Sequence, residues 1–166
     1  MRKADEDEFH EYVRGRMDRW RRSAYLLCQD WHFADDLVSI TVTKLFRNWS
    51  KVRRADNPDA YAQKVLTRSW LSESRRSWRS RERSAADLPE QPWTPTDRVG
   101  SRDSLEALLR SLGPRQRAVL VLRFYLDYSV EETATILRIS PGTVKSQSAR
   151  GLDTLRAAVS SGSHTN

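Results

Sequence analysis

The chain has 166 residues, of which 38% are hydrophobic and 31% are charged, and its formal net charge is +7. A chain of this length suits one medium domain or two small ones. It contains no run of about eighteen apolar residues, so no transmembrane helix is predicted, and its opening, MRKADEDEFH, lacks the apolar stretch of a signal peptide. The basic excess favours a polyanionic partner, but does not distinguish DNA, RNA and a membrane surface.

The sequence contains few residues that could bind a metal or form a disulfide. Cys28 is the only cysteine, so no internal disulfide can form, and its place in an apolar helical pattern favours a buried thiol over a redox sensor. The three histidines are scattered, without the spacing of metal ligands. We find neither a glycine-rich phosphate loop nor a nucleophile elbow. The sequence therefore predicts no metal site, no cofactor and no catalytic residue, and the protein is not expected to be an enzyme.

The first half of the chain carries two apolar stripes with helical spacing. Apolar residues recur at three- and four-residue steps over residues 9–27 and, more regularly, over residues 37–49. These stripes predict amphipathic helices over residues 7–28 and 34–49. Periodicity assigns the second stripe to the core, so a partner of this helix would contact its outer face. That outer face includes Asp35, Ser39, Lys44 and Asn48.

A third helix is predicted over residues 58–83, with Asn57 as its N-cap. Residues 64–83 carry seven basic and two acidic side chains, so much of the excess charge lies on this one element. Arginines interleaved with Trp70 and Trp78 suit nucleic acid, because cations follow phosphates and aromatic rings stack on exposed bases. A core position for the tryptophans is the alternative, and for Trp70 the two interpretations are equally open.

A linker and a second helical segment follow. Residues 84–100 contain three prolines and no periodicity, which predicts a flexible linker. Fully extended, it would span about 55 Å, more than one turn of B-DNA.

Four helices are predicted in the C-terminal half. A leucine-rich helix ends at residues 113–114, and a second spans about 115–125. The pattern S-x-x-E at residues 129–132 matches a capping box and starts a third, and Ser140 caps a fourth. The last two helices form a helix-turn-helix unit, and residues 161–166 are predicted to be disordered.

The last helix has the chemistry of a DNA reader. One ridge of it carries Lys145, Ser146, Ala149 and Arg150. Arginine can contact guanine through two hydrogen bonds, and a hydroxyl group can contact a base or a phosphate. The helix N-terminus at residues 140–143 adds free backbone N–H groups for a phosphate. A solvated face on an ordinary helical hairpin is the alternative.

Three segments, in this order, carry a family resemblance: DDLVSITVTKLFRNW, NPDAYAQKVLTRSWLSESRR and LRSLGPRQRAVLVLRFYLDYSVEETATILRISPGTVKSQSARGLDTLR. From about Phe9 to Arg156 the chain resembles a bacterial sigma factor of the extracytoplasmic-function type, as found in actinobacteria. The resemblance implies an all-α fold of two small helical domains joined by the linker. Sigma region 2 would occupy residues 1–83, and sigma region 4, with the helix-turn-helix, residues 101–160.

Members of that family bind core RNA polymerase and direct it to promoters. The resemblance implies that region 2 binds the clamp helices of the largest polymerase subunit and captures the −10 element as a melted strand. Region 4 would read the −35 element in the major groove and contact the flap of the second-largest subunit. A cytoplasmic bacterial protein without membrane insertion is expected. Whether an anti-sigma factor also binds the chain stays open.

The resemblance assigns three sets of residues. The residues expected at −35 DNA are Ser140, Thr143, Lys145, Ser146, Ala149 and Arg150. The residues expected at −10 DNA are Arg53, Arg54, Asn57, Tyr61, Lys64, Arg68, Arg75, Arg76 and Arg79. The residues expected to bind core polymerase are Asp35, Asp36, Leu37, Val38, Thr41 and Leu45.

The chain departs from the family pattern at several positions. Ser39 and Ile40 stand where glutamine and an acidic residue are frequent, and Arg68 stands where many members carry asparagine. Arg138 replaces a frequent glycine in the helix-turn-helix turn, so a strained or differently built turn is expected. Ala149 replaces a larger residue of several members, so the base preference cannot be copied from them.

Two other functions compete with a promoter-specificity subunit. A stand-alone helix-turn-helix regulator would bind duplex DNA tightly without polymerase, but the basic, tryptophan-bearing helix is more suited to single strands. An RNA-binding helical scaffold would lose RNA affinity when Arg75 and Arg79 are removed, and would keep that affinity in Arg150→Ala. A promoter-specificity subunit should bind isolated duplex weakly, because polymerase must separate its two modules.

Overall fold

The computed structural model describes residues 2–84 and 101–162. The linker predicted over residues 84–100 lies outside the described residues except for its first position, and residues 163–166 lie outside them as well. Only the backbone is described for residues 77–84, 101–105 and 161–162.

The N-terminal module, residues 2–84, is built from helices. They are α1 (Lys3–Arg14), α2 (Met17–Cys28), α3 (Trp31–Arg47), α4 (Trp49–Arg54) and α5 (Pro58–Ser84). The bounds of α5 agree with the predicted helix over residues 58–83, and Asn57 is its N-cap, since Oδ1 accepts a hydrogen bond from the backbone N–H of Ala60 at 3.1 Å. Trp49 and Val52 of α4 are buried, which fixes this short helix against the core.

Two details of the predicted helices in this module were wrong. The single helix expected over residues 7–28 is interrupted at Gly15, a poor helix former, and Arg16 donates its backbone N–H to the carbonyl of Val13 there. The helix expected over residues 34–49 begins at Trp31, because the carboxylate of Asp30 accepts hydrogen bonds from two backbone N–H groups of its first turn.

The C-terminal module, residues 101–162, is also helical. Its elements are α6 (Ser101–Arg110), α7 (Pro114–Leu120), a π-helical turn (Val121–Tyr125), α8 (Val130–Leu137) and α9 (Pro141–Gly162). The capping box is confirmed: Ser129 Oγ accepts from the N–H of Glu132 at 3.0 Å, and Glu132 Oε1 accepts from the N–H of Ser129 at 2.9 Å. Helix α9 extends two residues into the segment predicted to be disordered.

The two modules share one continuous apolar core. Trp20 and Leu66 of the N-terminal module belong to the same buried cluster as Leu122 and Ile136 of the C-terminal module. Trp70 is only 4% exposed, which decides in favour of its core interpretation. The modules therefore lie against each other along a seam in which α5 packs on α8 and α2 packs on α6 and α7.

Arg138 closes α8 in a left-handed conformation, with φ of 57° and ψ of 45°. Glycine adopts the left-handed backbone conformation freely, whereas any other residue in that conformation costs about 1–2 kcal/mol of conformational free energy. We therefore expect Arg138→Gly to raise the free energy of unfolding by about 1 kcal/mol, measured by urea denaturation. Arg138→Ala is the matched control: it removes the same charge and keeps the left-handed strain, so its gain should be smaller. A midpoint at or below that of the unchanged protein would contradict this account.

Candidate nucleic-acid and protein interfaces

The predicted reading ridge of α9 faces solvent. Each of its four residues is exposed: Lys145, Ser146, Ala149 and Arg150. Val144, on the adjacent face, is fully buried and anchors the helix in the core. Neither Lys145 nor Arg150 has a carboxylate partner in the described parts of the chain, so both cations are available to an external anion.

The start of α9 is held by two hydroxyl groups. Ser140 Oγ accepts a hydrogen bond from the backbone N–H of Thr143 at 3.0 Å, and the hydroxyl oxygens of Ser140 and Thr143 are 2.8 Å apart. Ser140 is thus the N-cap that the sequence predicts. These two residues fix the N-terminus of α9, whereas the ridge that follows them along the helix carries the positive charge.

The predicted polymerase-binding residues of α3 divide into two groups. Asp35 and Asp36 are exposed, and Asp35 Oδ1 accepts a hydrogen bond from Arg21 Nε at 2.7 Å. The side chains of Leu37, Val38, Thr41 and Leu45 are buried, at 3% exposure or less. The prediction that these last four contact a partner is corrected: they fix α3 in the core, and a partner can reach only the outer face of the helix.

Sequence reasoning missed one exposed aromatic residue of that outer face. Phe46 belongs to the apolar stripe, yet 40% of it is exposed, with its ring edge against Phe9 at a centroid distance of 5.3 Å. Ser39 and Thr43 are exposed as well. Lys44 instead donates from Nζ to Ser69 Oγ at 3.0 Å, which ties α3 to α5.

Three of the residues predicted for −10 DNA lie around the end of α4. Arg53 is engaged by two acids of α1, at 2.8 Å from Asp5 and 3.5 Å from Glu8. Arg54 is exposed and donates from Nε to the carbonyl of Ser50. Asn57 is a helix cap. Of the three, Arg54 has no acidic partner among the described residues.

The middle of α5 places three further −10 candidates at the seam. Lys64 Nζ lies 4.3 Å from the centroid of the Tyr61 ring. Arg68 donates from Nε to the carbonyl of Ile136 at 2.8 Å and from Nη2 to the carbonyl of Thr135 at 3.1 Å. Both carbonyls lie in the last turn of α8, the negative end of its dipole, which favours a cation.

Like charges accumulate at this point of the seam. Burial, together with the positive charges of Arg68 and Arg138, lowers the pKa of Lys64. Burial and the charge of Arg138 likewise lower the pKa of Arg68. Three cations of two modules are therefore close together, and the bonds from Arg68 to α8 oppose their repulsion.

The remaining −10 candidates lie further along α5. Arg75 and Arg76 are exposed, and Arg76 forms a weak pair with Glu73 at 3.4 Å. The side chain of Arg79 lies outside the described part of the chain. Arg75 and Arg76 are thus accessible to the phosphates of a DNA strand that runs along α5.

Arg117 is a second tie between the modules, and sequence reasoning missed it. Its Nη1 donates to the carbonyl of Leu27 at 2.6 Å and its Nη2 to that of Leu112 at 3.1 Å. Its Cζ lies 5.6 Å from the centroid of the Trp70 ring, and burial lowers its pKa. The only signal in the sequence is a single arginine before the apolar run AVLVL.

Cys28 is half-buried, and its Sγ donates to the carbonyl of Asp30 at 3.2 Å. Burial raises the pKa of the thiol to about 11. The group is therefore protonated at neutral pH, which agrees with an inert thiol rather than a redox sensor.

The bonds of Arg68 should bias the modules towards contact. We expect Arg68→Ala to weaken the seam by about 1–3 kcal/mol, because the interaction is charge-assisted. Pulsed dipolar electron paramagnetic resonance can measure this in a Cys28→Ser background, with spin labels on cysteines at the exposed positions Ser72 and Glu131. The variant should show a larger long-distance population than the parent. Arg75→Ala removes an equal charge from an exposed position and serves as control; identical distance distributions for both variants would refute the role of Arg68.

Within residues 2–84 and 101–162, no helix has the length and apolar character needed to cross a membrane. Comparison with known proteins then identifies the two modules. The family model for Sigma-70 region 2 matches residues 13–80, and the one for Sigma-70, region 4 matches residues 102–155.

The chain is also similar to named proteins along most of its length. It is 37% identical to an RNA polymerase sigma-E factor of Streptomyces coelicolor, covering 90% of this chain and 84% of the relative. It is 32% identical to the ECF RNA polymerase sigma factor SigE of Mycolicibacterium smegmatis, covering 88% and 59%. A solved structure of the sigma factor RpoE from Bartonella quintana, in complex with the anti-sigma factor NepR, has the same fold, with a TM-score of 0.75 at 22% identity over 92% of this chain and 97% of that one. Since the models for region 2 and region 4 both match, and a relative is 37% identical over most of its length, the chain belongs to the family of RNA polymerase sigma factors, of the extracytoplasmic-function type.

Proposed function

We propose that this protein is a promoter-specificity subunit, which binds core RNA polymerase and directs it to promoters with defined −10 and −35 elements. The observation that carries the proposal is the exposed basic ridge on the second helix of a helix-turn-helix, in a chain that also holds a region 2 module. The protein has no catalytic activity of its own in this proposal, and it works in the bacterial cytoplasm.

Region 4, residues 101–160, is the proposed reader of the −35 element. Helix α9 would enter the major groove with Lys145 and Arg150 towards base edges and phosphates. Ser146 Oγ donates to the carbonyl of Thr143 at 3.1 Å, so its oxygen can still accept from a base donor. The small Ala149 leaves room on the same ridge for a base edge or a thymine methyl group.

Region 2, residues 1–83, is the proposed binder of the melted −10 strand. Arg75 and Arg76 offer exposed positive charge to its phosphates. Lys64 and Arg68 lie at the seam, and separation of the modules would release them for the same strand. Residues 84–100 would act as the linker that lets the modules reach two DNA elements at once.

The exposed face of α3 is the proposed contact with core polymerase. Asp36 and Ser39 supply polar groups there, and Phe46 supplies an apolar one. Phenylalanine is enriched at protein interfaces relative to the rest of the protein surface.

An anti-sigma factor is a further proposed partner. The solved RpoE structure of the same fold is a complex with such a protein, and its likeness covers both modules of this chain. A partner that binds the two modules while they are in contact would keep the seam residues Lys64 and Arg68 away from DNA.

The general test is transcription by purified core polymerase with this protein on a promoter library. Initiation at a shared pair of motifs is expected, and failure to initiate at any sequence would refute the proposal. Tight, specific binding of duplex DNA by the protein alone would favour a stand-alone regulator instead.

The role of Arg150 can be tested in the same system. Arg150→Ala should cost about 1–3 kcal/mol of discrimination between the preferred −35 element and its single-base variants. The measurement is the ratio of transcription rates across a series of −35 substitutions. Lys145→Ala is the comparison, because a phosphate contact should weaken all promoters alike. A uniform loss for Arg150→Ala would reassign this residue to the DNA backbone.

The two groups of α3 residues should separate in a paired experiment. Asp36→Arg changes an exposed residue, so we expect weaker binding of core polymerase and a change in unfolding free energy within about 0.5 kcal/mol. Leu37→Ala creates a cavity and should cost about 2–5 kcal/mol of stability. Fluorescence titration with core polymerase and urea denaturation measure the two effects. Unchanged polymerase affinity in Asp36→Arg would remove this residue from the interface.

A further inference from the structure

A cavity of about 360 Å³ lies at the seam between the modules. One wall comes from Arg16, α2 and the start of α5, and the other from the last residue of the π-helical turn and the segment that follows it. Its volume falls within the roughly 300–1,000 Å³ typical of small-molecule sites. Neither the promoter contacts nor the polymerase contacts proposed above use it.

The cavity has more positive charge than its own acid can neutralise. Arg16 forms an ion pair with Asp59, which also accepts a hydrogen bond from the hydroxyl group of Tyr12 at 2.9 Å. Arg19 and Arg22 also line the cavity, and neither has a carboxylate partner in the described parts of the chain. Arg22 Nε donates to the backbone carbonyl of Asp18 at 3.4 Å, so the guanidinium group of Arg19 and the two terminal nitrogens of Arg22 remain for an external anion.

The opposite wall supplies aromatic rings and a hydroxyl donor. Tyr128 is half-buried, and burial, followed by the charges of Asp59 and Glu132, raises the pKa of its phenol. The phenol therefore stays protonated at neutral pH and can donate a hydrogen bond to an anion. Tyr125 also lines the cavity and is 49% exposed, so a ligand can reach part of its side chain.

We propose that this cavity binds a small phosphorylated molecule with a planar ring, of the nucleotide class. Arg19 and Arg22 would hold the phosphate, because guanidinium groups match phosphate oxygens through paired hydrogen bonds. The Tyr125 ring would stack on the base, an interaction that tolerates any base with a π face. Tyr128 would donate its hydroxyl hydrogen to a phosphate or sugar oxygen.

Such a ligand would act on the arrangement of the modules. The arginines come from the N-terminal module and the tyrosines from the C-terminal module, so the complete site exists only when the two are in contact. A ligand that binds only one arrangement stabilises it, and the stabilisation grows with the logarithm of the ligand concentration once this exceeds the Kd. This step rests on the proposed function, in which polymerase and promoter require separated modules: the nucleotide would hold the factor back from polymerase.

The test uses the full chain and a fluorescent probe, N-methylanthraniloyl-ADP, followed by anisotropy. We expect saturable binding that ADP displaces at least 10-fold better than either pyrophosphate or adenosine. Arg19→Glu combined with Arg22→Glu should weaken probe binding at least 100-fold. The matched control is Arg14→Glu combined with Arg47→Glu, which makes the same charge change at exposed positions outside the cavity and should stay within 2-fold.

Several results would overturn the proposal. Absence of binding at protein concentrations up to about 1 mM, which would place the Kd in the millimolar range or above, would refute the site. Equal losses in both double variants would mean that the probe follows the general positive charge. Displacement by pyrophosphate as strong as that by ADP would refute the nucleotide class.

The effect on the modules is measured separately and without nucleoside triphosphates. ADP should lower the affinity of the protein for core polymerase, and the Arg19→Glu, Arg22→Glu variant should lose this response. If the protein supports no promoter-dependent transcription but still binds the probe, the proposed function fails and the binding site stands. If transcription occurs and probe binding does not, the site fails alone.

Discussion

The rest of the structure depends on an apolar core that runs without interruption from one module into the other. Trp20 and Leu66 bury their side chains in the same cluster as Leu122 and Ile136. Apolar burial of this kind contributes about 25 cal/mol per Å², and it sets where every polar group at the seam must lie. Neither module can turn relative to the other without exposing part of this cluster to water.

The polar groups along the seam are arranged around that constraint. Arg68 and Arg117 each donate to backbone carbonyls of a helix from the other module, at 2.8 Å and 2.6 Å in their shortest bonds. Such bonds satisfy carbonyls at helix ends, which have no partner within their own helix. Lys64 and Arg138 add repulsion at the same place. The contact between the modules is therefore a balance: the core and the arginine bonds hold them together, and the cations repel one another.

Local patterns in the sequence predicted most of the helices, because helix starts and apolar spacing are properties of neighbouring residues. Asn57, Ser129 and Ser140 were identified as caps for this reason, and each one accepts the expected backbone hydrogen bond. The exposed ridge of α9 followed from the same spacing. The seam could not be predicted in this way: Arg68 meets a carbonyl 68 positions away, and Arg117 meets one 90 positions away. The resemblance placed Leu37 in a partner contact, although the packing of α3 buries it.

The continuous core also makes the separation of the modules sensitive to temperature. Exposure of apolar surface raises the heat capacity by about 0.45 cal/K/mol per Å², so the free energy of separation follows a curve with a maximum. Contact between the modules is strongest near that maximum, and weakens on both cooling and heating. The enthalpy of separation changes sign with temperature as a result, because exposure of the seam formed by Trp20, Leu66, Leu122 and Ile136 carries a positive heat-capacity change.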